Sequence, residues 1–244
     1  MNTEGDGMLN MALLHISSLY VGYNSLNVLT DVNLDVEAGT QVVLLGANGS
    51  GKTTLLKSLM GLLPVHAGQI VLDTQDITRL GPSARVRAGL AYLSEIGVIA
   101  SLSVEDNLNI GGYYLTRTLR RQQIRSLYQQ LPILYEKRKN PASSLSGGQR
   151  KILAFAKVLM GQPRLILMDE PSAGLAPVMV NEMIQILNTY RSHGPAFLIA
   201  EQNVKFLEGA HYVYVLDNGQ IRFQGTPQDL DADAHIKAAY FGLT

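Results

Sequence analysis

Apolar residues recur along the chain with two different periods. In residues 29–36, Val32, Leu34 and Val36 alternate with Asn33 and Asp35, the period-two signature of a sheet with one wet face. Residues 13–23 also have strand character. Gln41–Leu45 is apolar without alternation, which predicts a central strand buried on both faces. From Lys52 to Leu63 the period changes. Leu55, Leu56, Leu59, Leu62 and Leu63 repeat at helical spacing, and Pro64 is positioned to stop that helix. A further strand is predicted over 68–72, then a mostly helical and more charged stretch over about 104–162. Arg164–Met168 and Ala196–Ala200 are again short apolar strands, with a helix over 178–190 between them. Tyr212–Leu216 and Gln220–Gln224 flank Asp217-Asn218-Gly219 and predict a hairpin on a tight turn. Buried strands alternating with helices imply a parallel α/β sheet, and the helical stretch before Asp169 implies an insertion into it.

Composition narrows the function. The chain has 244 residues, 46% hydrophobic and 16% charged, an ordinary globular mix able to bury a sizeable core. Its formal net charge is zero, which argues against strong attraction to nucleic acid or anionic lipid. Disulfides and thiolate metal sites are excluded because there is no cysteine. The five histidines are scattered without metal-ligand spacing. Residues 1–12 form a polar lead without signal-peptide character, expected to be flexible. No stretch reaches the roughly 18 apolar residues of a membrane span, so the expectation is a cytoplasmic chain that docks on partners at the membrane. Arg117, Arg120, Arg121 and Arg125, then Lys137, Arg138 and Lys139, suggest a solvated helix face, with a docking surface as the alternative.

Three motifs carry chemistry. Gly46-Ala47-Asn48-Gly49-Ser50-Gly51-Lys52-Thr53 matches G-x-x-x-x-G-K-[ST] and lies between a strand and a helix. Its glycines let backbone N–H groups turn inward to form an anion nest, continued by Thr54 at the helix start. Lys52 supplies a point charge to the outer phosphates, and the Thr53 hydroxyl suits Mg²⁺. Asp169 ends an apolar strand, which places it at the carboxyl edge of the sheet, where it would hold Mg²⁺. Glu170 follows, positioned to orient or deprotonate an attacking water. Leu145-Ser146-Gly147-Gly148-Gln149 precedes a helix beginning near Gln149. Ser146 is its predicted N-cap, and the glycines permit close approach to a phosphate.

With these motifs in this order, the chain resembles the nucleotide-binding subunits of ABC transporters from about Leu13 to Thr244. The resemblance implies a P-loop NTPase core with a parallel sheet, an antiparallel β subdomain and an α-helical subdomain inserted over 95–162, the whole forming a single domain over 13–244. It implies ATP and Mg²⁺ as cofactors. Each ATP would be clamped between one subunit's glycine loop and the signature residues Ser146, Gly147, Gly148 and Gln149 of a second ABC ATPase subunit. Tyr23 would stack on adenine, Glu95 would take the lid-loop position near the metal, and Gln202 would stand where most relatives have a switch histidine. The implied location is the cytoplasmic face of the cell membrane, through permease subunits that an extracytoplasmic solute-binding protein serves.

Within that family the chain is similar to the LivF-type ATPases of branched-chain amino-acid importers. Glu95 in the lid loop, Ala176 in Asp169–Pro177, the run Ala200-Glu201-Gln202-Asn203 and the close Ala239-Tyr240-Phe241-Gly242 carry this likeness. Ser94-Glu95-Ile96-Gly97, Gly148-Gln149-Arg150-Lys151 and Ala173 depart from it. These departures leave related urea and amide importers open as an alternative. A glutamine amide donates a hydrogen bond but does not change protonation near neutral pH, so Gln202 predicts a slow site more dependent on Glu170. A soluble ATPase acting on DNA or ribosomes is disfavoured by the short insertion and zero net charge. A small-molecule kinase would lack the pentapeptide.

Overall fold

The computed structural model describes residues 12–24, 26–94, 97–190, 194–233 and 236. Glu95, most of the N-terminal lead and the close at 239–242 lie outside them. The chain opens with β1 (Leu14–Tyr23) and β2 (Leu26–Val36), an antiparallel pair joined on β1's other side by β4 (Val65–Leu72) and the two-residue β5 (Gln75–Asp76). A second sheet has the order β10-β9-β3-β8-β7-β6, with β3 (Gln41–Leu45), β6 (Leu90–Leu93), β7 (Leu165–Asp169), β8 (Ala196–Glu201), β9 (Tyr212–Asp217) and β10 (Gln220–Gly225). Neighbours from β9 to β6 are parallel, and only β10 runs antiparallel at the edge.

Every residue of β3 is buried, and its side chains divide between two cores. Val43 and Leu45 face α6 (Gly147–Leu159) and α7 (Pro177–Thr189), while Val42 and Leu44 face α1 (Lys52–Leu59) and the four-stranded sheet. Ile166 and Met168 of β7 likewise oppose Leu165 and Leu167. A strand buried on both faces has no reason to alternate, which is why these runs read as continuous apolar stretches. Between β6 and β7 the chain passes through α3 (Val104–Gly111), α4 (Arg117–Gln130), α5 (Pro132–Glu136) and α6. Ser103, Thr116 and Ser146 cap α3, α4 and α6 through their side-chain oxygens. The inserted helical subdomain and the antiparallel β subdomain implied by the resemblance are both present.

Several elements differ from the pattern reading. The helix α1 stops at Leu59, and Pro64 plays no part in ending it. Gly61 at φ 72° does so, with Gly61 N–H donating to Ser58 O at 3.0 Å and Leu62 N–H to Lys57 O at 2.9 Å. This is a paired C-terminal cap that needs a left-handed residue. The strand predicted over 68–72 begins earlier, at Val65. Short elements not anticipated include β5, α2 (Pro82–Arg87), β6, a 3-10 turn over Val204–Gly209 and α8 (Pro227–Ala232).

Arg85 on α2 completes the end of α1. Its guanidinium is buried and donates to Ser58 O at 2.6 Å, Leu59 O at 2.7 Å, Leu80 O at 2.8 Å and Thr78 O at 2.8 Å. Two of these carbonyls belong to the last turn of α1, where a cation also opposes the helix dipole. Arg85→Met would leave the carbonyls of Leu59, Thr78 and Leu80 without this donor and Ser58 O with the Gly61 N–H alone. It is expected to cost about 3 kcal/mol and to lower the midpoint of thermal unfolding by roughly 6–12 °C, measured by calorimetry. A midpoint within about 2 °C of the parent would show that water replaces the guanidinium.

Candidate nucleotide site

The parallel strands deliver their chemistry at one edge. β8 lies between β3 and β7, and the register pairs Leu45 with Glu201 and Asp169 with Ala200. The loop after β3, the carboxylates after β7 and the turn after β8 therefore converge, as expected at the carboxyl ends of an open α/β sheet.

Gly49 and Gly51 take φ values of 83° and 111°, which turns the loop around its own backbone and into α1. Lys52 is only 4% exposed. Its ammonium donates to Gly46 O at 2.8 Å and Ala47 O at 3.1 Å, and pairs with Glu170 Oε1 at 3.3 Å. Three oxygens thus balance a buried cation that would otherwise be costly. Ser50 Oγ is buried without a partner in the same loop. Thr54 is buried beneath it, and Ala47, Asn48 and Gly49 are exposed. Asn48, Gly49, Thr53, Lys57, Tyr92, Ser94, Asp169, Glu170 and Ala173 surround a cleft of about 470 Å³.

Asp169 is held from both sides. Thr53 Oγ1 donates to its Oδ1 at 2.9 Å and Tyr92 Oη to its Oδ2 at 2.8 Å. Burial pushes the Tyr92 phenol well above the usual tyrosine range, and the bond to Asp169 acts in the same direction. Tyr92 therefore stays a donor. A hydroxyl and a carboxylate side by side form a hard-oxygen pair of the kind Mg²⁺ uses when phosphates and water supply its remaining ligands. Among the described residues no group of three or more His, Cys, Asp or Glu could hold a metal without such help.

Glu170 adopts φ 45°, a left-handed conformation unusual for a side chain of its size, and its N–H donates to Ala200 O at 2.9 Å. The turn sends its carboxylate back over the loop toward Lys52. On the far side, Glu170, Ser172, Ala173, Glu201, Gln202 and Asn203 line a second cleft of about 270 Å³. Gln202 is exposed there. Glu201 is 1% exposed and accepts from the N–H groups of Ser172, Gln202 and Asn203 at 2.7, 3.0 and 3.1 Å.

The structure gathers Lys52, Thr53, Asp169 and Glu170, with Gln202 on the adjoining cleft. It does not bring the pentapeptide to them within one chain. α6 begins at Gly147 rather than Gln149. Ser146 caps it, accepting from Gln149 N–H at 3.2 Å while its own N–H donates to Gln149 Oε1 at 3.1 Å. Ser146 and Gly147 are exposed, and Gly148 is closed over by Met179, whose Cε would lie 2.0 Å from an added Cβ. Gly147 and Arg150 line a separate cleft of about 360 Å³ with Ala173, Gly174 and Leu175. Tyr23 is 50% exposed at the end of the β1–β2 hairpin. That hairpin reaches the loop through Gly219, which accepts from Thr30 N–H at 2.9 Å and donates to Ser50 O at 3.0 Å. A larger cleft of about 930 Å³, lined by Arg117, Arg120, Arg121 and Arg125, lies on the helical subdomain and shares no residue with the phosphate loop.

Tyr92 and Glu201 were not singled out from the sequence. Glu201 had a signal: like Asp169, it is an acid closing a wholly apolar strand. Tyr92 had none, because its contact is tertiary.

A family model described as "ABC transporter" matches residues 29–173. The chain is 37% identical over 221 residues to a probable branched-chain amino acid transport ATP-binding protein LivF of Archaeoglobus fulgidus, covering 89% of this chain and 94% of that one. It is 35% identical over 237 residues to the lipopolysaccharide export system ATP-binding protein LptB of Escherichia coli K12, covering 95% and 98%. Among solved structures, an ATP-binding cassette of an ABC transporter superposes with a TM-score of 0.84 at 25% identity over 93% of this chain and 97% of that one. The three motifs, the meeting of the glycine loop with Asp169 and Glu170 at one sheet edge, and these likenesses agree: the chain belongs to the ABC transporter family and is an ATP-hydrolysing subunit of it.

Proposed function

We propose that this subunit powers an importer of branched-chain or other hydrophobic amino acids. The observation carrying the reading is the 37% identity to the LivF protein over nearly its whole length. Export of lipopolysaccharide is the second reading, favoured by the 35% relative. A urea or amide importer is the remaining alternative.

In this reading Lys52 exchanges its own loop carbonyls for phosphate oxygens of ATP, and the N–H groups of the glycine loop orient them. Thr53 and Asp169 would hold Mg²⁺, which when bound supplies charge neutralisation for the phosphates; Glu95 would be a further ligand. Glu170 orients the attacking water and takes its proton. Tyr23 stacks on adenine. The pentapeptide Leu145–Gln149, with Ser146 and Gly147 exposed and away from its own loop, serves the ATP of a partner cassette, a related second subunit rather than a copy. Family members work as dimers with membrane permeases. No helix among the described residues is long and apolar enough to cross a membrane, so attachment would be peripheral, on the cytoplasmic face. The segment around Glu95 to Asn107 would form the groove for a short permease helix, and the cleft of about 540 Å³ lined by Val86, Tyr92, Gly111, Tyr114 and Lys157 is a second candidate for it.

The test is uptake in cells carrying Lys52→Ala at the native locus. Loss of leucine, isoleucine and valine uptake supports the proposal. Loss of urea or acetamide uptake instead, or of surface lipopolysaccharide, would replace it. Gln202 adds a kinetic expectation. Gln202→His should raise hydrolysis by the assembled transporter several-fold, roughly 1 kcal/mol of barrier, measured as phosphate release. An unchanged rate would sink the idea that glutamine makes the site slow.

A further inference from the structure

We infer that Glu201 is a positioning residue that locks the loop after β7 to the turn after β8, so that a change at Gln202 reaches the surface beside the pentapeptide. Both carboxylate oxygens are used. Oε1 accepts from Ser172 N–H at 2.7 Å, and Oε2 from Gln202 and Asn203 N–H at 3.0 and 3.1 Å. A carboxylate that only capped the turn at 202–203 would need no partner 29 residues away. Glu201 also accepts from Gly46 N–H through its carbonyl at 3.2 Å. One residue, 1% exposed, therefore touches the phosphate loop, the segment after Glu170 and the segment carrying Gln202.

The position of the loop that it holds gives the lock a purpose. Ala173 lines the cleft of Asp169 and Glu170 and the cleft of Gln202, and with Gly174 and Leu175 it also lines the cleft of Gly147 and Arg150. The segment 172–175 thus stands between the phosphate side and the pentapeptide side of the molecule. Charge-assisted bonds to backbone N–H groups are short and strong, and inside the protein they are not replaced by water when they break. Neither loop can shift alone without losing them. The inference rests on the proposed role of Gln202 beside the phosphates.

Glu201→Gln keeps the volume but confronts at least one N–H with an amide donor. Glu201→Asp keeps the charge but is too short to span both loops. Hydrogen–deuterium exchange on the nucleotide-free full chain should show the Ser172 amide exchanging at least about tenfold faster in both variants. Unchanged Ser172 protection overturns the lock itself. With ATP, wild type should gain protection over 171–176 and 202–204 together, and the variants over 202–204 alone. Joint protection in the variants overturns the relay. Wild type showing none would instead count against the reading of Gln202. Turnover should fall on the order of 10²-fold with the KM for ATP changed less than about threefold. Leu198→Ala, at a buried position within the same strand, is the stability control. If it lowers kcat as much as Glu201→Gln at an equal loss of Tm, Glu201 is merely structural.

Discussion

Glu170→Gln is expected to bind ATP, stop turning it over and accumulate as a nucleotide-loaded dimer. The amide keeps the volume and the left-handed backbone, and the N–H bond to Ala200 O is untouched. Its carbonyl can still accept from Lys52, so the loop retains its shape. What is lost is the carboxylate assigned to take a proton from the attacking water. General bases contribute on the order of 10²–10⁴ in rate, and a loss of about 10³-fold is expected. Removing a negative charge also relieves repulsion toward the terminal phosphate, so ATP affinity should hold or rise. Single-turnover hydrolysis and size-exclusion chromatography in ATP, with the partner cassette present, measure both outcomes. Turnover within tenfold of wild type would remove Glu170 from the mechanism.

Lys52→Ala is expected to fail earlier, at binding. The ammonium is nearly fully buried and tied to Gly46 O, Ala47 O and Glu170. Its loss leaves two carbonyls and a carboxylate facing the space where anionic phosphates must sit. Charge-assisted hydrogen bonds are worth roughly 1.5–3 kcal/mol, so ATP affinity should fall on the order of 10–100-fold. Charge stabilisation of the transferring phosphoryl group is lost as well, and turnover at saturating ATP should fall by about 10³-fold or more. Titration with a fluorescent ATP analogue separates the effects: weak binding here, intact binding in Glu170→Gln. Equal affinity in the two variants would show that backbone N–H groups alone hold the phosphates.

Much of this architecture was legible from local pattern. β3 was readable because the four-residue apolar run Val42–Leu45, between Gly39 and Gly46, fits little except a buried strand. The hairpin at Asn218-Gly219 was equally plain, because two left-handed residues in succession demand that chemistry. β6 was not, since Leu90–Leu93 is four residues long and only its end positions are buried. α1 was overextended because Leu62 and Leu63 keep helical spacing after Gly61 has already turned the chain. Pro64 looked like the breaker, but the cap had formed three residues earlier. α8 carried a readable signal in Thr226 and Asp229, which cap it reciprocally, but no apolar period to draw attention to it. At the site, Gly46–Thr53, Asp169 and Glu170 announce themselves by spacing. Tyr92 does not, because its role exists only once β6 and β7 lie side by side, and Glu201 is marked only as an acid closing an apolar strand.

The left-handed turn at Glu170 has a cost that screening would detect. A side chain at that φ is roughly 1–2 kcal/mol less comfortable than glycine, and asparagine also tolerates it better. Directed evolution for heat resistance alone should therefore drift toward Gly or Asn at 170. Such hardier variants would be dead as motors, so thermal selections on this scaffold need an activity gate.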